Sequence, residues 1–378
     1  MTQTMRLQSV HLRNFKAIID SKVVKLGALT AFIGNNGAGK SSLIEGLETY
    51  QSIVRDGLDI AMQRWLGIEH ARHKGQEAKE KAGELVNSIA FKLAIGTSPR
   101  KVRRIELEAN NDPAANRMFI SKETIDQPGL TFLDRNMIGA DQTYGPGRSI
   151  LSAPLPDAVD LANHVLNWQF LSLSPEHMGL PVPQQRTGGG VRLTRNGSNI
   201  ADYLLDLRRQ DQSAFDGIVE TMAFVLPYAR DLQPSVTSEI ERKAWLQLTE
   251  SDFKVPGWML STGTLRLLAL LALLRHPSPP PLIVVEEIEN GLDPRSIHLI
   301  VDEIRDVVQS GRSQVIVTTH SPYLLNLLPL QAIVLAERNS GGEPVFWRPS
   351  DEEEVKEWGK KFAPGELYTA GRFKRGGR

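Results

Sequence analysis

The sequence contains no cysteine, which excludes disulfides and thiolate metal sites and fits a reducing compartment. Net charge is missing too: 44 basic and 44 acidic side chains cancel. No overall field therefore draws the chain to nucleic acid or a membrane surface, and any such contact has to come from a local patch. Long apolar runs are also absent. The longest, Leu267–Leu274, is far short of the roughly 18 residues that a membrane-spanning helix needs. The opening residues, Met1-Thr2-Gln3-Thr4-Met5-Arg6, lack the positive-then-apolar order of a secretion signal. These absences predict a cytoplasmic protein without a membrane partner. What is present, 378 residues of which 41% are hydrophobic, suffices for one large or two moderate domains with a substantial core.

The strongest positive signal is Ile33-Gly34-Asn35-Asn36-Gly37-Ala38-Gly39-Lys40-Ser41-Ser42, which fits the phosphate-binding loop pattern in full. A run of backbone N–H groups has to wrap a polyphosphate, and side chains at Gly34, Gly37 and Gly39 would block that approach. Lys40 supplies a charge for the β- and γ-phosphates and Ser41 a hydroxyl for Mg²⁺, while the helix beginning there adds its positive end. The flanks agree: Leu29–Ile33 reads as a buried strand and Ser42–Leu47 as a helix. Asn35 to Ser42 are therefore the expected ATP-binding residues.

Along the chain, Arg6–Leu12 alternates as a half-buried strand and Val23–Leu26 offers a second. Residues 57–83 are strongly charged and read as a solvated helix or insertion. Leu85–Leu93 and Lys101–Ala109 predict an antiparallel hairpin turning near Gly96–Pro99, the core of a β-lobe. Little is predicted for Asn110–Pro156, where Pro and Gly mark loops. Helices are expected at Ala158–Asn167, Asn199–Arg209 and Ala214–Leu226, with a Gly-rich break at Thr187–Gly190. From Pro281 the pattern is strand, helix, strand: Leu282–Val285, a helix carrying Ile297, Ile300, Val301, Ile304, Val307 and Val308 on one face and capped near Gly311, then Gln314–Thr318. That alternation implies a parallel sheet. The expected domains are 1–156 with the loop, β-lobe and charged insertion, a mainly helical 157–256, and an α/β lobe at 257–378.

The strand Leu282–Val285 ends in Glu286-Glu287. A Mg²⁺–nucleotide site needs such a pair, one acid for the metal and one to orient the attacking water, here Glu286 and Glu287 in that order. His320, just past the next strand, is placed to meet the γ-phosphate opposite Lys40. Ser261 can cap the apolar helix that ends at Leu274, and Gly263 permits close approach, so that helix end could receive phosphate from a second copy of the chain.

Leu12-Arg13-Asn14-Phe15-Lys16, the phosphate loop, Leu260–Arg266, Val284–Pro294 and Thr318–Pro322 come in the order seen in ABC-type ATPase heads. The chain most resembles the bacterial predicted AAA-family (AAA_21-like) ATPases related to RecF, the overcoming-lysogenization-defect nucleases and SMC/Rad50 heads. Trp168–Pro175 and Gly365–Tyr368 resemble that group as well. The resemblance implies an α/β P-loop fold of ABC-head type with an antiparallel β-lobe and a helical insertion, and ATP and Mg²⁺ as ligands. It implies that Ser261, Gly263 and Asp293 contact ATP bound by a partner copy and that His320 is the switch histidine. Lys16 resembles a basic residue that approaches phosphate, and reads equally as a surface lysine; Gln169 resembles a metal-sensing glutamine, and Trp168-Gln169-Phe170 reads equally as a core strand. Two positions depart from the pattern. Thr262 stands where such heads often carry Asp, Gln or Gly, and Glu286 stands where Asp is more usual, a longer arm able to reach Mg²⁺ through water.

Several members of that group carry a nuclease module, yet the sequence has no Asp-x-Asp pair and only 58 residues after His320, too few for a further domain with its own core. Glu241-Arg242-Lys243 and the group Glu69, His70, His73 read better as surface than as metal sites. Arg100–Arg104 and Arg372–Arg378 are basic clusters open to DNA, or a solvated edge and a terminus. The sequence thus predicts an ATP hydrolase acting as a clamp or sensor that forms a homodimer or larger homo-oligomer. It would act on DNA or on a separately encoded effector, a nuclease or toxin, in phage defence or DNA repair. A low-turnover ATP-binding scaffold that holds such a partner inactive is the alternative.

Overall fold

The computed structural model describes residues 4–75, 88–98, 101–126, 133–153, 155–186, 190–238 and 240–374. Several expectations fall wholly or partly outside them: the second part of the charged run, the start of the Leu85–Leu93 strand, Pro99 and Arg100, most of the Gly-rich break, and the tail from Arg375. In chain order the elements are β1 (Arg6–Phe15), β2 (Ile18–Asp20), β3 (Val24–Lys25), β4 (Leu29–Ile33), α1 (Lys40–Asp56), α2 (Leu58–Gln63), α3 (Ile68–Ala71), β5 (Ile89–Ser98), β6 (Lys101–Asp112), β7 (Arg117–Asp126), β8 (Leu133–Asp134), α4 (Ala140–Tyr144) and α5 (Val159–Leu166). There follow β9 (Gln169–Leu171), α6 (Pro175–Met178), β10 (Val182–Pro183), α7 (Ile200–Gln210), α8 (Gln212–Val225), β11 (Ala229–Val236), β12 (Lys243–Glu250), β13 (Phe253–Pro256), α9 (Thr262–Leu274), β14 (Leu282–Val285), α10 (Pro294–Gln309), β15 (Gln314–Thr319), α11 (Pro322–Asn326), β16 (Ile333–Arg338), β17 (Pro344–Trp347), α12 (Glu353–Gly359) and α13 (Pro364–Thr369).

Two compact units result, Met1–Trp168 with Pro329–Arg378, and Gln169–Leu328. The division differs from the one drawn in chain order, because β16 pairs in parallel with β4 (Val334 opposite Phe32) and so returns the C-terminal segment to the first unit. That unit holds the β-lobe, an antiparallel sheet in the order β2-β1-β5-β6-β7-β8 with β3 also on β1. The predicted hairpin is its β5–β6 pair, in register from Ile89 opposite Ala109 to Ser98 opposite Lys101. The third strand, β7, lies in the stretch where little was predicted. Its alternation is hidden because a buried position carries Glu123 rather than an apolar residue. The charged segment also differs from a solvated helix at its start: Leu58, Ala61, Met62, Ile68 and Ala71 are buried, so α2 and α3 dock on the core.

Glu123 organises the irregular segment that follows β8. Its carboxylate accepts from Ser149 Oγ and from the backbone N–H of Ile150 at 2.8 Å, and faces Arg135 Nη1 at 3.5 Å. Arg135, equally buried, donates to the carbonyls of Arg148 (2.5 Å) and Gly145 (2.9 Å) and pairs with Asp141 (2.5 Å). One ion pair thereby supplies the partners that a loop without regular structure would otherwise lack. Burial pushes the Glu123 carboxyl from its ordinary 4.5 up to about 7, with the hydrogen bonds and Arg135 opposing. Between those values the folded chain holds a proton that the unfolded chain releases, so stability falls as pH rises, by up to about 3 kcal/mol in all. Urea midpoints measured from pH 5 to pH 8 are expected to drop for the wild type and to run flatter for Glu123→Gln; parallel curves would refute the assignment.

The second unit contains a parallel trio in the order β15-β14-β9 and an antiparallel sheet in which β12 pairs with β10, β11 and β13. The segment 157–256 is thus not mainly helical: α7 and α8 are where the periodicity puts them, but β10 to β13 accompany them. The strands escape the sequence pattern because β11 contains Pro234 and polar residues alternate through both long strands. Of Glu241-Arg242-Lys243, the first two lie in the connection between β11 and β12 and Lys243 opens β12; Arg242 has φ of 45° and donates to Gln184 Oε1 at 3.1 Å. The helix α10 carries the predicted apolar face inward, with Ile297, Ile300, Val301, Ile304 and Val307 buried; Asp293 caps its start and Pro294 stands in its first turn. Apolar helix α9 is buried along nearly its whole length. Among the described residues, no helix is long and apolar enough to cross a membrane.

Candidate functional site

In the first unit, β4 delivers the chain to Gly34 and α1 leaves from Lys40, so the glycine-rich loop sits between a buried strand and a 17-residue helix. Gly34 has φ of 151°, and a Cβ there would lie 1.9 Å from the carbonyl oxygen of Ala336 on β16. Only glycine lets strand and loop pass so closely. The tip, Asn35-Asn36-Gly37, is exposed, while Ala38, Gly39 and Lys40 are buried. Lys40 Nζ donates to the carbonyls of Gly34 (2.6 Å) and Asn35 (3.1 Å), which folds the ammonium into its own loop. No acidic residue stands in the first turn of α1, and Ser41 is exposed beside the buried Ser42. Positive helix end, exposed backbone and loop-held lysine together fit a polyphosphate.

Two further basic residues belong to this unit. Arg338, at the end of β16, donates from Nε to the carbonyl of Gly37 (2.9 Å) and from Nη1 to that of Gly342 (2.5 Å), tying the loop to the β16–β17 turn. Nothing in the sequence linked it to a loop 301 residues earlier. Lys16, with φ of 51°, pairs with Glu45 of α1 and lies 4.3 Å from the centre of the Trp65 ring. Both neighbours compete for its ammonium with any phosphate.

In the second unit, β14 lies between β9 and β15, with Val285 opposite both Leu171 and Val317. Glu286 and Glu287 leave the end of this strand. The Glu286 N–H donates to the carbonyl of Leu171 (2.9 Å), and its Oε1 accepts from Arg195 Nη2 at 2.5 Å. Glu287 is held in the left-handed region, φ 49°, with its N–H on Thr318 Oγ1 (2.9 Å) and its Oε2 on Asn290 Nδ2 (2.5 Å). Glu289 Oε1 accepts the backbone N–H of His320 (2.6 Å), which ties the acid turn to the turn carrying the exposed imidazole. Gln169, 6% exposed at the start of β9, gives its amide nitrogen to the carbonyls of Leu193 (2.9 Å) and Phe170 (3.3 Å).

The same unit sets Ser261 and Gly263 at the start of α9. Ser261 Oγ accepts from Thr264 N (3.1 Å) and meets Thr264 Oγ1 (2.8 Å), as a capping residue does. A Cβ on Gly263 would lie 2.4 Å from the carbonyl oxygen of Gly291, so the start of α9 and the Asn290–Asp293 turn touch backbone to backbone. Asp293 spends both oxygens on its own helix, Oδ1 accepting from Arg295 N (2.8 Å) and Ser296 N (3.2 Å) and Oδ2 from Ser296 Oγ (2.6 Å). Those bonds hold its carboxyl below the usual carboxylate range, the Ser296 hydroxyl contributing most. Arg266, on the first turns of α9, donates to the carbonyl of Leu173 at 2.7 Å.

Other candidates come apart. Among the described residues no three His, Asp or Glu side chains converge as metal ligands, so Glu69, His70 and His73 form no such group. In the basic cluster, Arg103 pairs with Asp160 (2.5 Å) and Arg104 faces Asp126 (3.7 Å). Arg195 and Arg338 went unread in the sequence, and Asn290 was read only as part of the Val284–Pro294 resemblance, not as a partner of Glu287. The Asn196-Gly197 pair signals a turn at Arg195, but nothing local points from there to Glu286, 91 residues on.

A glycine-rich loop between a buried strand and a helix, and an acid pair ending a parallel strand, belong to a P-loop ATPase head of ABC type. The fold agrees with solved structures. An SMC head bound to the C-winged helix domain of ScpA matches with a TM-score of 0.56 at 15% identity, over 90% of this chain and 97% of that one. An SMC head domain with an extended coiled coil, bound to the C-terminal domain of ScpA derived from Pyrococcus furiosus, matches with a TM-score of 0.52 at 13% identity, over 94% and 100%. More particularly, the chain belongs to the family described as "AAA domain, putative AbiEii toxin, Type IV TA system", which matches residues 66–326. It carries that family's nucleotide-binding ATPase domain. An uncharacterized protein of Methanocaldococcus jannaschii, MJECL44, is 28% identical over 117 residues, and the match spans 31% of this chain and only 35% of that relative.

Proposed function

We propose that the protein is a Mg²⁺-dependent ATPase that works as an ATP-driven dimerising clamp or sensor, controlling DNA engagement or a separately encoded effector in phage defence or DNA repair. The observation that carries this reading is Glu287, a carboxylate fixed at a strained backbone position and aligned by Asn290 at 2.5 Å. A phosphate loop by itself only binds; a fixed base beside the metal acid supplies hydrolysis. Lys40 would take the β- and γ-phosphates, Ser41 and Glu286 the metal with Gln169 as a further ligand, and His320 would sense the γ-phosphate. Bound Mg²⁺ would neutralise charge on the phosphates. Ser261, Gly263 and Asp293 would meet ATP held by a second copy, so that binding closes the pair and hydrolysis opens it. The backbone contact of Gly263 on Gly291 supports this, since it lets the partner-facing helix end and the acid turn move as one piece.

A second reading is a low-turnover ATP-binding scaffold that holds a toxin or nuclease partner inactive; the mention of a toxin–antitoxin system in the family description keeps it in view. Steady-state turnover measured with and without duplex DNA, while light scattering records mass, separates the two. The clamp predicts turnover and an ATP-dependent rise from one chain to two or more, with DNA stimulation if DNA is the partner. ATP bound without turnover selects the scaffold, and absence of ATP binding refutes both.

A further inference from the structure

Arg195 has no part in the roles above, yet its guanidinium is bonded directly to the first acid of the pair. It sits on the turn Thr194–Gly197, closed by Gly197 N donating to the carbonyl of Thr194 at 2.9 Å. The turn is fastened to the chain leaving β9: the carbonyls of Arg195 and Asn196 accept from Ser172 N (2.8 Å) and Ser174 N (3.0 Å). Just before it, the carbonyl of Leu193 accepts the amide of Gln169 at 2.9 Å. Since β9 is the parallel neighbour of β14, these bonds fix the turn beside the end of the strand that carries Glu286. The guanidinium then reaches Glu286 Oε1 at 2.5 Å, with side-chain exposures of 31% for Arg195 and 13% for Glu286.

A carboxylate so little exposed draws weak screening from water and holds a counter-cation. Arg195 fills that role in a charge-assisted hydrogen bond. A divalent metal asks for the same carboxylate, directly or through a bound water, and two cations on one oxygen repel each other. We propose that Arg195 competes with Mg²⁺ for Glu286: the guanidinium satisfies the acid until metal and nucleotide arrive together, and it must then leave. Arg195 is thereby a positioning residue that sets the metal requirement of the site. The inference rests on the reading of Glu286 as the metal acid.

The test uses the full chain as wild type, Arg195→Gln, Arg195→Lys and Glu286→Gln, with Mn²⁺ as the probe and a non-hydrolysable ATP analogue present. Bound Mn²⁺ is counted by electron paramagnetic resonance, and analogue binding without metal is followed separately. Arg195→Gln is expected to bind Mn²⁺ about tenfold more tightly than wild type, since one charge-assisted competitor is removed. Arg195→Lys is expected to shift the same way by about threefold, a single ammonium being the weaker partner for a carboxylate. The lysine variant decides the matter should the glutamine variant fail to fold. Mn²⁺ affinity equal to or weaker than wild type in the folded variants, with the analogue still bound, overturns the competition. Undiminished Mn²⁺ binding by Glu286→Gln is a different failure, since it removes Glu286 from the metal site altogether.

Discussion

Glu287→Gln is expected to lower steady-state ATP turnover by on the order of 10²- to 10⁴-fold while ATP binding stays within a few fold of wild type. The size follows from what the substitution keeps. The backbone at Glu287 is held at φ 49° from outside the side chain, by its N–H on Thr318 Oγ1 and by its carbonyl accepting from Asn290 N at 3.0 Å. Glutamine has the same length, and its amide oxygen still accepts from Asn290 Nδ2. The change therefore removes the carboxylate proposed to act on the attacking water while the contacts that hold its backbone stay available. Stalled hydrolysis with intact binding should leave ATP-bound pairs, seen by light scattering as doubled mass that persists while ATP is present. An unaltered melting temperature guards against trivial loss of fold. Turnover within tenfold of wild type would show that another group activates water, and Glu289 would be examined next, since it already holds the His320 backbone at 2.6 Å.

Signals local in sequence were the legible ones. The phosphate loop is one contiguous run, Gly34 to Ser41, of known backbone demand, and α10 shows itself by an apolar face of helical period. The acid pair was readable because an apolar strand ended in it. Illegible features depend on partners far along the chain. Glu123 reads as an ordinary surface acid until Ser149, Ile150 and Arg135 surround it, so the order of the 133–153 segment has no pattern to announce it. Strands β11 and β12 are stabilised by each other, from Ala229 opposite Glu250 to Val236 opposite Ala244, and a long antiparallel partner outweighs the proline in the first. The return of β16 to β4 is likewise a pairing across the whole chain, and it is what takes Pro329–Arg378 out of the third domain expected from sequence order. Arg195 belongs to this class too: its residue type and its turn were visible, and its destination was not.

Gly34→Ala is expected to destroy the first unit's nucleotide site and much of its stability, whereas Gly37→Ala, three residues on in the same motif, should leave the fold standing. At Gly34 the added methyl would sit 1.9 Å from the Ala336 carbonyl oxygen and 2.9 Å from its carbon. These are backbone atoms of β16, which pairs with β4 right up to Leu335 opposite Ile33, so relief requires parting two core strands. A loss of about 4 kcal/mol or more is the scale for such a clash, large against the roughly 5–15 kcal/mol that holds an ordinary protein together. At Gly37 the nearest atom to an added methyl is Arg338 Nη2 at 3.9 Å, the end of a flexible side chain, and what remains is the left-handed backbone at φ 76°. That strain costs about 1–2 kcal/mol. Thermal melts of the two variants should therefore separate widely, Gly34→Ala unfolding far earlier or failing to accumulate as soluble protein. Metal-free binding of a fluorescent ATP analogue should be lost in Gly34→Ala and weakened in Gly37→Ala, because the second leaves the strand pair and Lys40 in place while stiffening the cradle. Equal melts would mean that β16 yields readily to a side chain at Gly34; a wide gap would establish that the phosphate loop is shaped by the strand returning from the far end of the chain as much as by its own glycines.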